Sequence, residues 1–338
     1  MTPSTLDGLD LDALDRHLRS EGIARVGQLR AELIAGGRSN LTFLVFDDAS
    51  KWVLRRPPLH GLTPSAHDMA REYRVVAALA DTPVPVARAV TMRNDDAVLG
   101  APFQMVEHVE GRVIRRADEL EALGDKATLD RCVDELIRVL AELHAVDPAA
   151  VGLGDFGKPN GYLERQVRRW GSQWGHVRLA DDPRDADVHR LHAALGERVP
   201  AESRASIVHG DYRIDNTILD ATDATKVRAV LDWELSTLGD PLSDAALMCV
   251  YRNPMFNYVH SDAAWTSELL PTGDEMAQRY AAVSGKELAH WDFYMGLAYF
   301  KLAIIAAGIA FRARMGGTED NVGHAVAPLI AAGLEALD

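Results

Sequence analysis

Ile207 to Asp244 reads IVHGDYRIDNTILDATDATKVRAVLDWELSTLGDPLSD, and this stretch decides the fold. His209, Asp211 and Asn216 stand in the order H-x-D-x-x-x-x-N, and Asp232 follows the apolar run Val227-Arg-Ala-Val-Leu231. The apolar pair Ile207-Val208 leads in and Thr217–Leu219 leads out, so the pattern predicts strand, loop, strand, turn, strand, loop. Acidic groups then sit at strand ends, where a rigid scaffold can aim them. Phosphoryl transfer is the chemistry that fits, because it asks for positioning, a metal charge and a carboxylate near the attacking hydroxyl. Asp211 is the candidate carboxylate. Asn216 and Asp232 offer the hard oxygen ligands that Mg²⁺ prefers. His209 reads as a brace for the loop. The same residues are also common in plain turns, and it is the downstream aspartate on its own apolar strand that favours function.

The wording HGDYRIDN followed by VLDWELSTLGDPLSD resembles the aminoglycoside phosphotransferase family of small-molecule kinases. Within it, the closer resemblance is to the branch with the kinase-like domain fused to some acyl-CoA dehydrogenase proteins. The resemblance implies an α+β, two-lobed protein-kinase-like fold, with a β-rich nucleotide lobe over 1–108 and a mainly helical lobe over 109–338 that carries the catalytic loop. It implies ATP and Mg²⁺ as cofactors. It also implies a role for Asp244 as the aspartate that receives backbone N–H groups of the catalytic loop.

Working outward, Ala31–Arg56 reads as two or three strands, with a glycine turn at Gly36-Gly37 and alternating Leu41, Phe43 and Val45. Gly37, Ser39 and Asn40 fall where the family has its nucleotide loop, and backbone N–H groups of such a turn can cradle phosphates. Arg55 stands where kinases carry the phosphate-pairing lysine; Arg keeps the charge but is a planar fork, so the geometry differs. Ser65–Leu79 predicts a helix with Met69, Tyr73, Val76 and Leu79 on one side, and Glu72 matches the helix glutamate that pairs with that basic residue. Ala97–Leu99 and Phe103–Val106 read as two further strands, the second running into Glu107-His-Val-Glu-Gly111. This segment resembles the hinge, where backbone groups of Glu107 and Val109 would meet the adenine edge. Arg213 occupies the place near the γ-phosphate and could stabilise charge on the transferring group.

Beyond Gly111 the pattern turns helical: 120–146, 162–177, 188–199, 241–251, 274–283, 291–314 and 321–337. The lead-in 6–18 is also partly amphipathic. His189 and His192 share helical spacing without a third ligand type and read as surface residues. Fifty acidic against thirty-six basic residues give a net charge of −14, which argues against nucleic acid as partner. The two cysteines lack metal-ligand spacing and suit buried sites in a reducing compartment. The N-terminus lacks the regions of a signal peptide, and the longest apolar run, 302–311, is short for a bilayer. A cytoplasmic protein with no membrane association is expected.

The expected function is ATP- and Mg²⁺-dependent phosphorylation of a hydroxyl on a small molecule, a hydroxyacyl-CoA-like compound being favoured. The favoured acceptor rests on the branch resemblance and on 165–178, with four arginines, two tryptophans and no acid. Aminoglycoside O-phosphorylation and a catalytically silent nucleotide-binding protein are the alternatives. A protein kinase is disfavoured because Gly239-Asp-Pro follows Asp232 too soon for an activation segment.

Overall fold

The computed structural model describes residues 6–36, 40–59, 68–201, 203–318 and 321–338. The chain falls into two compact units, Met1–Glu110 with Arg228–Glu234, and Gly111–Val227 with Leu235–Asp338.

The first unit is built on a five-stranded antiparallel sheet: β1 (Arg30–Gly36), β2 (Leu41–Phe46), β3 (Lys51–Arg56), β4 (Ala89–Arg93) and β5 (Phe103–Glu107), in the order β1-β2-β3-β5-β4. Period-two alternation sends Phe43 and Val45, Trp52 and Leu54, and Phe103 and Met105 into one core. Leu14 and Leu18 of α1 (Leu11–Ser20) close that core. Each fully buried side chain of this size contributes about 1.5–3 kcal/mol. The β2–β3 turn is pinned by Asp47, whose carboxylate accepts N–H bonds from Val26, Ala49 and Ser50. Those bonds, against the opposing effect of burial, hold its carboxyl below the usual range. α2 (Met69–Leu79) starts where the Asp68 side chain caps the Arg71 N–H, and it buries Glu72 among Val75, Val76 and Leu79.

One expected strand is elsewhere. Residues 97–99 form a turn: Asp95 accepts the Ala97 N–H and Gly100 closes back on Asp96 at φ +71°. The strand is β4, whose alternation is masked in sequence by flanking prolines and arginines.

The second unit is mainly helical: α3 (Ala117–Glu121), α4 (Lys126–Ala145), α5 (Tyr162–Val177), α6 (Asp185–Glu197), α7 (Pro241–Val250), α8 (Gly273–Ser284), α9 (Trp291–Met315) and α10 (Val326–Glu335). Its short strands are β6 (Ser206–Val208), β7 (Thr217–Leu219) and β9 (Thr237–Gly239), with β6 and β9 antiparallel. Val227 opens β8 (Val227–Val230), whose last three residues count with the first unit. The single helix expected over 120–146 is interrupted by Gly124 at φ +145°. α9 packs against α5, α6, α7 and α10 and is apolar all round. By length and composition it could cross a bilayer, contrary to the estimate from 302–311 alone. Of its most apolar window, 67% is buried within the unit, as in a core helix. Cys132 and Cys249 are both buried, and burial pushes the Cys132 thiol up to about 12.

Candidate active site

The loop that carries His209, Asp211 and Asn216 lies in the second unit. β6 is fully buried and delivers His209, itself fully buried, into the loop. Gly210 follows at φ +86°, and a Cβ there would meet the Leu235 carbonyl oxygen at 2.9 Å, so only glycine fits. Charged groups from two helices hold this glycine. Asp244 of α7 accepts the N–H groups of His209 (2.5 Å) and Gly210 (2.8 Å). Lys301 of α9 donates from Nζ to the Gly210 carbonyl (2.7 Å). Burial raises the Asp244 carboxyl, but hydrogen bonds and charge from His144 and His209 outweigh it, so it titrates below the usual range. Asp244 therefore does what the resemblance implied for it.

The loop leaves Asp211 half-buried with both carboxylate oxygens occupied. Tyr251 donates its hydroxyl to Oδ1 (2.5 Å), and Asn216 donates Nδ2 to Oδ2 (3.0 Å) and to the Asp211 carbonyl (2.8 Å). Two acceptors around Nδ2 fix the orientation of the Asn216 amide. Its Oδ1 is thereby the atom turned to other partners, as a magnesium ligand requires. Arg213 is buried, 3.3 Å from Asp211 Oδ2 and 3.2 Å from Asp215 Oδ1, with its guanidinium over the rings of Tyr251 and Phe256 at 5.4 and 5.2 Å. Its charge is thus answered within the unit by two carboxylates. Burial pushes the Asp215 carboxyl up, against the pull of Arg213. Burial and the Asp211 charge push the Tyr251 phenol well above its usual range, so it stays a donor.

The first unit holds a separate polar cluster. Arg55 Nη1 is 2.8 Å from Glu72 Oε2, which also accepts from Gln104 Nε2 at 2.7 Å. Burial raises the Glu72 carboxyl, Arg55 and Gln104 oppose this, and Asp232 adds to it. Asp232 is held at φ +60°, a strained state for a residue with a side chain, with Oδ1 3.9 Å from Arg55 Nη2. The indole N–H of Trp233 bonds to the Val230 carbonyl at 3.0 Å and steadies the turn. Among the described residues no three His, Cys, Asp or Glu side chains group as a metal cage. Asn40 is buried at the head of β2, whereas Gly37 and Ser39 lie outside the described residues. The Glu107 N–H is already donated to the Arg88 carbonyl (2.8 Å), which takes that donor away from a ligand. Val109 sits in the loop after β5 and is half-buried.

The tryptophan–arginine helix divides. Trp174 packs inward, with its indole N–H on Asp185 at 2.8 Å, and Arg178 lies 3.4 Å from the same carboxylate. Arg165 bonds the carbonyls of Lys158 and Asn160. Arg168 and Arg169 are exposed, and the Arg169 guanidinium lies 5.3 Å from the centre of the Trp170 ring. His189 is exposed, while His192 stacks on Phe300 at 5.8 Å. Sequence reasoning missed Tyr251, Gln104 and Lys301; each reaches the site from a distant helix or strand, without a local motif.

The sequence profile of the phosphotransferase enzyme family matches residues 30–297. The chain belongs to that family. Acyl-CoA dehydrogenase family member 10 of Mus musculus is 34% identical over 311 residues, covering 90% of this chain and 28% of that protein. Family member 11 of Homo sapiens is 32% identical over 343 residues, covering 97% and 43%. The chain thus spans less than half the length of these relatives. Among solved structures, a Ralstonia eutropha protein assigned to the aminoglycoside phosphotransferases superposes with a TM-score of 0.83 at 32% identity, covering 97% and 98% of the two chains. Aminoglycoside phosphotransferase APH(4)-Ia, in a complex with ADP and hygromycin B, gives 0.62 at 15% identity, over 96% and 97%. The fold is protein-kinase-like, with an antiparallel sheet in the first unit and a largely helical remainder.

Proposed function

We propose that the chain transfers the γ-phosphoryl group of ATP to a hydroxyl of a small molecule. The observation that carries this reading is the Asp211 carboxylate, fixed by Tyr251 on one oxygen and Asn216 on the other. A carboxylate offers about four lone-pair directions, and Asn216 with Arg213 covers those of Oδ2. The direction left on Oδ1 beside Tyr251 is where an acceptor hydroxyl donates its proton. The acceptor oxygen then bonds to the γ-phosphorus as the bond to the β,γ-bridging oxygen breaks, ADP leaves, and the proton passes to Asp211. Arg55, held by Glu72, is the cation for the phosphates. Asn216 Oδ1 and Asp232 would hold Mg²⁺, which supplies charge neutralisation when bound.

The finer reading of the acceptor is a hydroxyacyl thioester of the coenzyme A type. The names of the relatives support it, and so do the cations Lys301 and Arg169 in the catalytic-loop unit, which are unsuited to a polycationic aminoglycoside. The test is Asp211→Asn: turnover on any accepted hydroxyl falls by roughly 10²–10⁴ while ATP affinity is unchanged. Turnover within a few-fold of the parent protein would remove Asp211 from the reaction.

A further inference from the structure

Beside the catalytic loop stand one donor without an acceptor and one ammonium that uses a single N–H. The indole Nε1 of Trp170, on α5, is buried and makes no hydrogen bond among the described residues. The Lys301 ammonium, on α9, stands 5.9 Å from the centre of the Trp170 ring. Of its three N–H groups, the bond to the Gly210 carbonyl uses one, and among the described residues no carboxylate lies within ion-pair reach of it. The Arg169 guanidinium is 5.3 Å from the same ring centre. Lys301 is half-buried; burial and the Arg169 charge lower its pKa, against the raising effect of Asp211 and Asp244. A buried donor without an acceptor is costly, and an oxygen of a ligand beside the ammonium would answer it.

The position says which ligand. Lys301 touches the carbonyl of the residue just before Asp211, about one Cα spacing away from the base. We propose that Trp170 and Lys301 form a subsite for a carboxylate or carbonyl oxygen of the phosphoryl acceptor, a few bonds from the hydroxyl that Asp211 orients. This rests on the phosphotransferase reading and adds the acceptor's second recognition element. An oxygen there receives the indole N–H and an ammonium N–H together, while Arg169 contributes positive charge. An ammonium of an aminoglycoside at the same place would face two cations and satisfy neither donor.

The experiment is calorimetric titration, with AMP-PNP and Mg²⁺ present, of short-chain hydroxy acids, their coenzyme A thioesters, the matching diols, and kanamycin. The parent protein, Trp170→Phe, Lys301→Met and Lys301→Arg are compared. The parent is expected to bind an acid or its thioester more tightly than the diol of the same length. The preference should fall roughly 10- to 100-fold in Trp170→Phe and Lys301→Met, the range for a hydrogen bond to a charged group, and return in part in Lys301→Arg. A merely structural role in holding Gly210 would weaken acid and diol alike and leave the preference unchanged. Whether free acid or thioester is preferred identifies the source of the oxygen. An unchanged preference in both loss variants, no preference over the diol, or tighter binding of kanamycin would overturn the subsite. Binding that needs both residues but yields no phosphorylated product with ATP would instead count against the phosphotransferase reading and leave the subsite standing.

Discussion

Asp211, the proposed base, has both carboxylate oxygens held by neighbouring side chains. Asn216 holds it from within the loop, five residues on, and Tyr251 from the end of α7, forty residues on. The first contact is legible in the H-x-D-x-x-x-x-N spacing, because a short 3₁₀ turn over Ile214–Asn216 brings the amide back. The second is not, because Tyr251 ends an apolar helix and its sequence context is that of a core residue. Removing its hydroxyl in Tyr251→Phe keeps the ring on Phe256 and under Arg213 but frees one carboxylate oxygen. Turnover should fall roughly 10- to 100-fold, as expected for a hydrogen bond to a charged group, with the KM for ATP unchanged. Steady-state kinetics check it, and a fall in ATP affinity with intact turnover would contradict it. Arg213 shows the same limit from the other side. Its place in the motif is readable, but the two carboxylates and two rings around it depend on long-range packing.

Among the elements, helices with strong amphipathic or wholly apolar patterns were plain in the sequence, and α5 and α9 begin where the pattern begins. Elements whose identity depends on neighbours were not. β4 is a strand because β5 lies beside it, and residues 97–99 turn because Asp95 offers its side chain to the Ala97 N–H. Packing between helices was equally hidden. Gly296 of α9 and Gly333 of α10 let the two helices approach, and a Cβ at Gly333 would stand 2.7 Å from Leu191 Cδ2 and 3.5 Å from the Gly296 carbonyl oxygen. Gly333→Val should therefore cost about 1–3 kcal/mol through overpacking and lower the unfolding midpoint by several degrees. Thermal denaturation followed by circular dichroism reads this directly; an unchanged or raised midpoint would show that the crossing has room to spare.

Taken whole, the chain forms two compact units, each with its own polar cluster of buried and half-buried groups. Arg55, Glu72, Gln104 and Asp232 belong to the first, and Asp211, Asn216, Arg213, Tyr251 and Lys301 to the second. A net charge of −14 gave no hint of the cations Arg169 and Lys301 beside the loop, since global charge governs solubility and steering and not the lining of a site. The claim that joins the two clusters is transfer of a phosphoryl group from nucleotide to alcohol. Phosphorus NMR of the protein with ATP, Mg²⁺ and a panel of hydroxylated acids, thioesters and aminoglycosides tests it most directly. A new phosphomonoester resonance is expected to grow as the γ-phosphate signal declines and ADP appears, with one of the acids or thioesters and not with Asp211→Asn. ATP left intact with every acceptor, or only inorganic phosphate released, would contradict it.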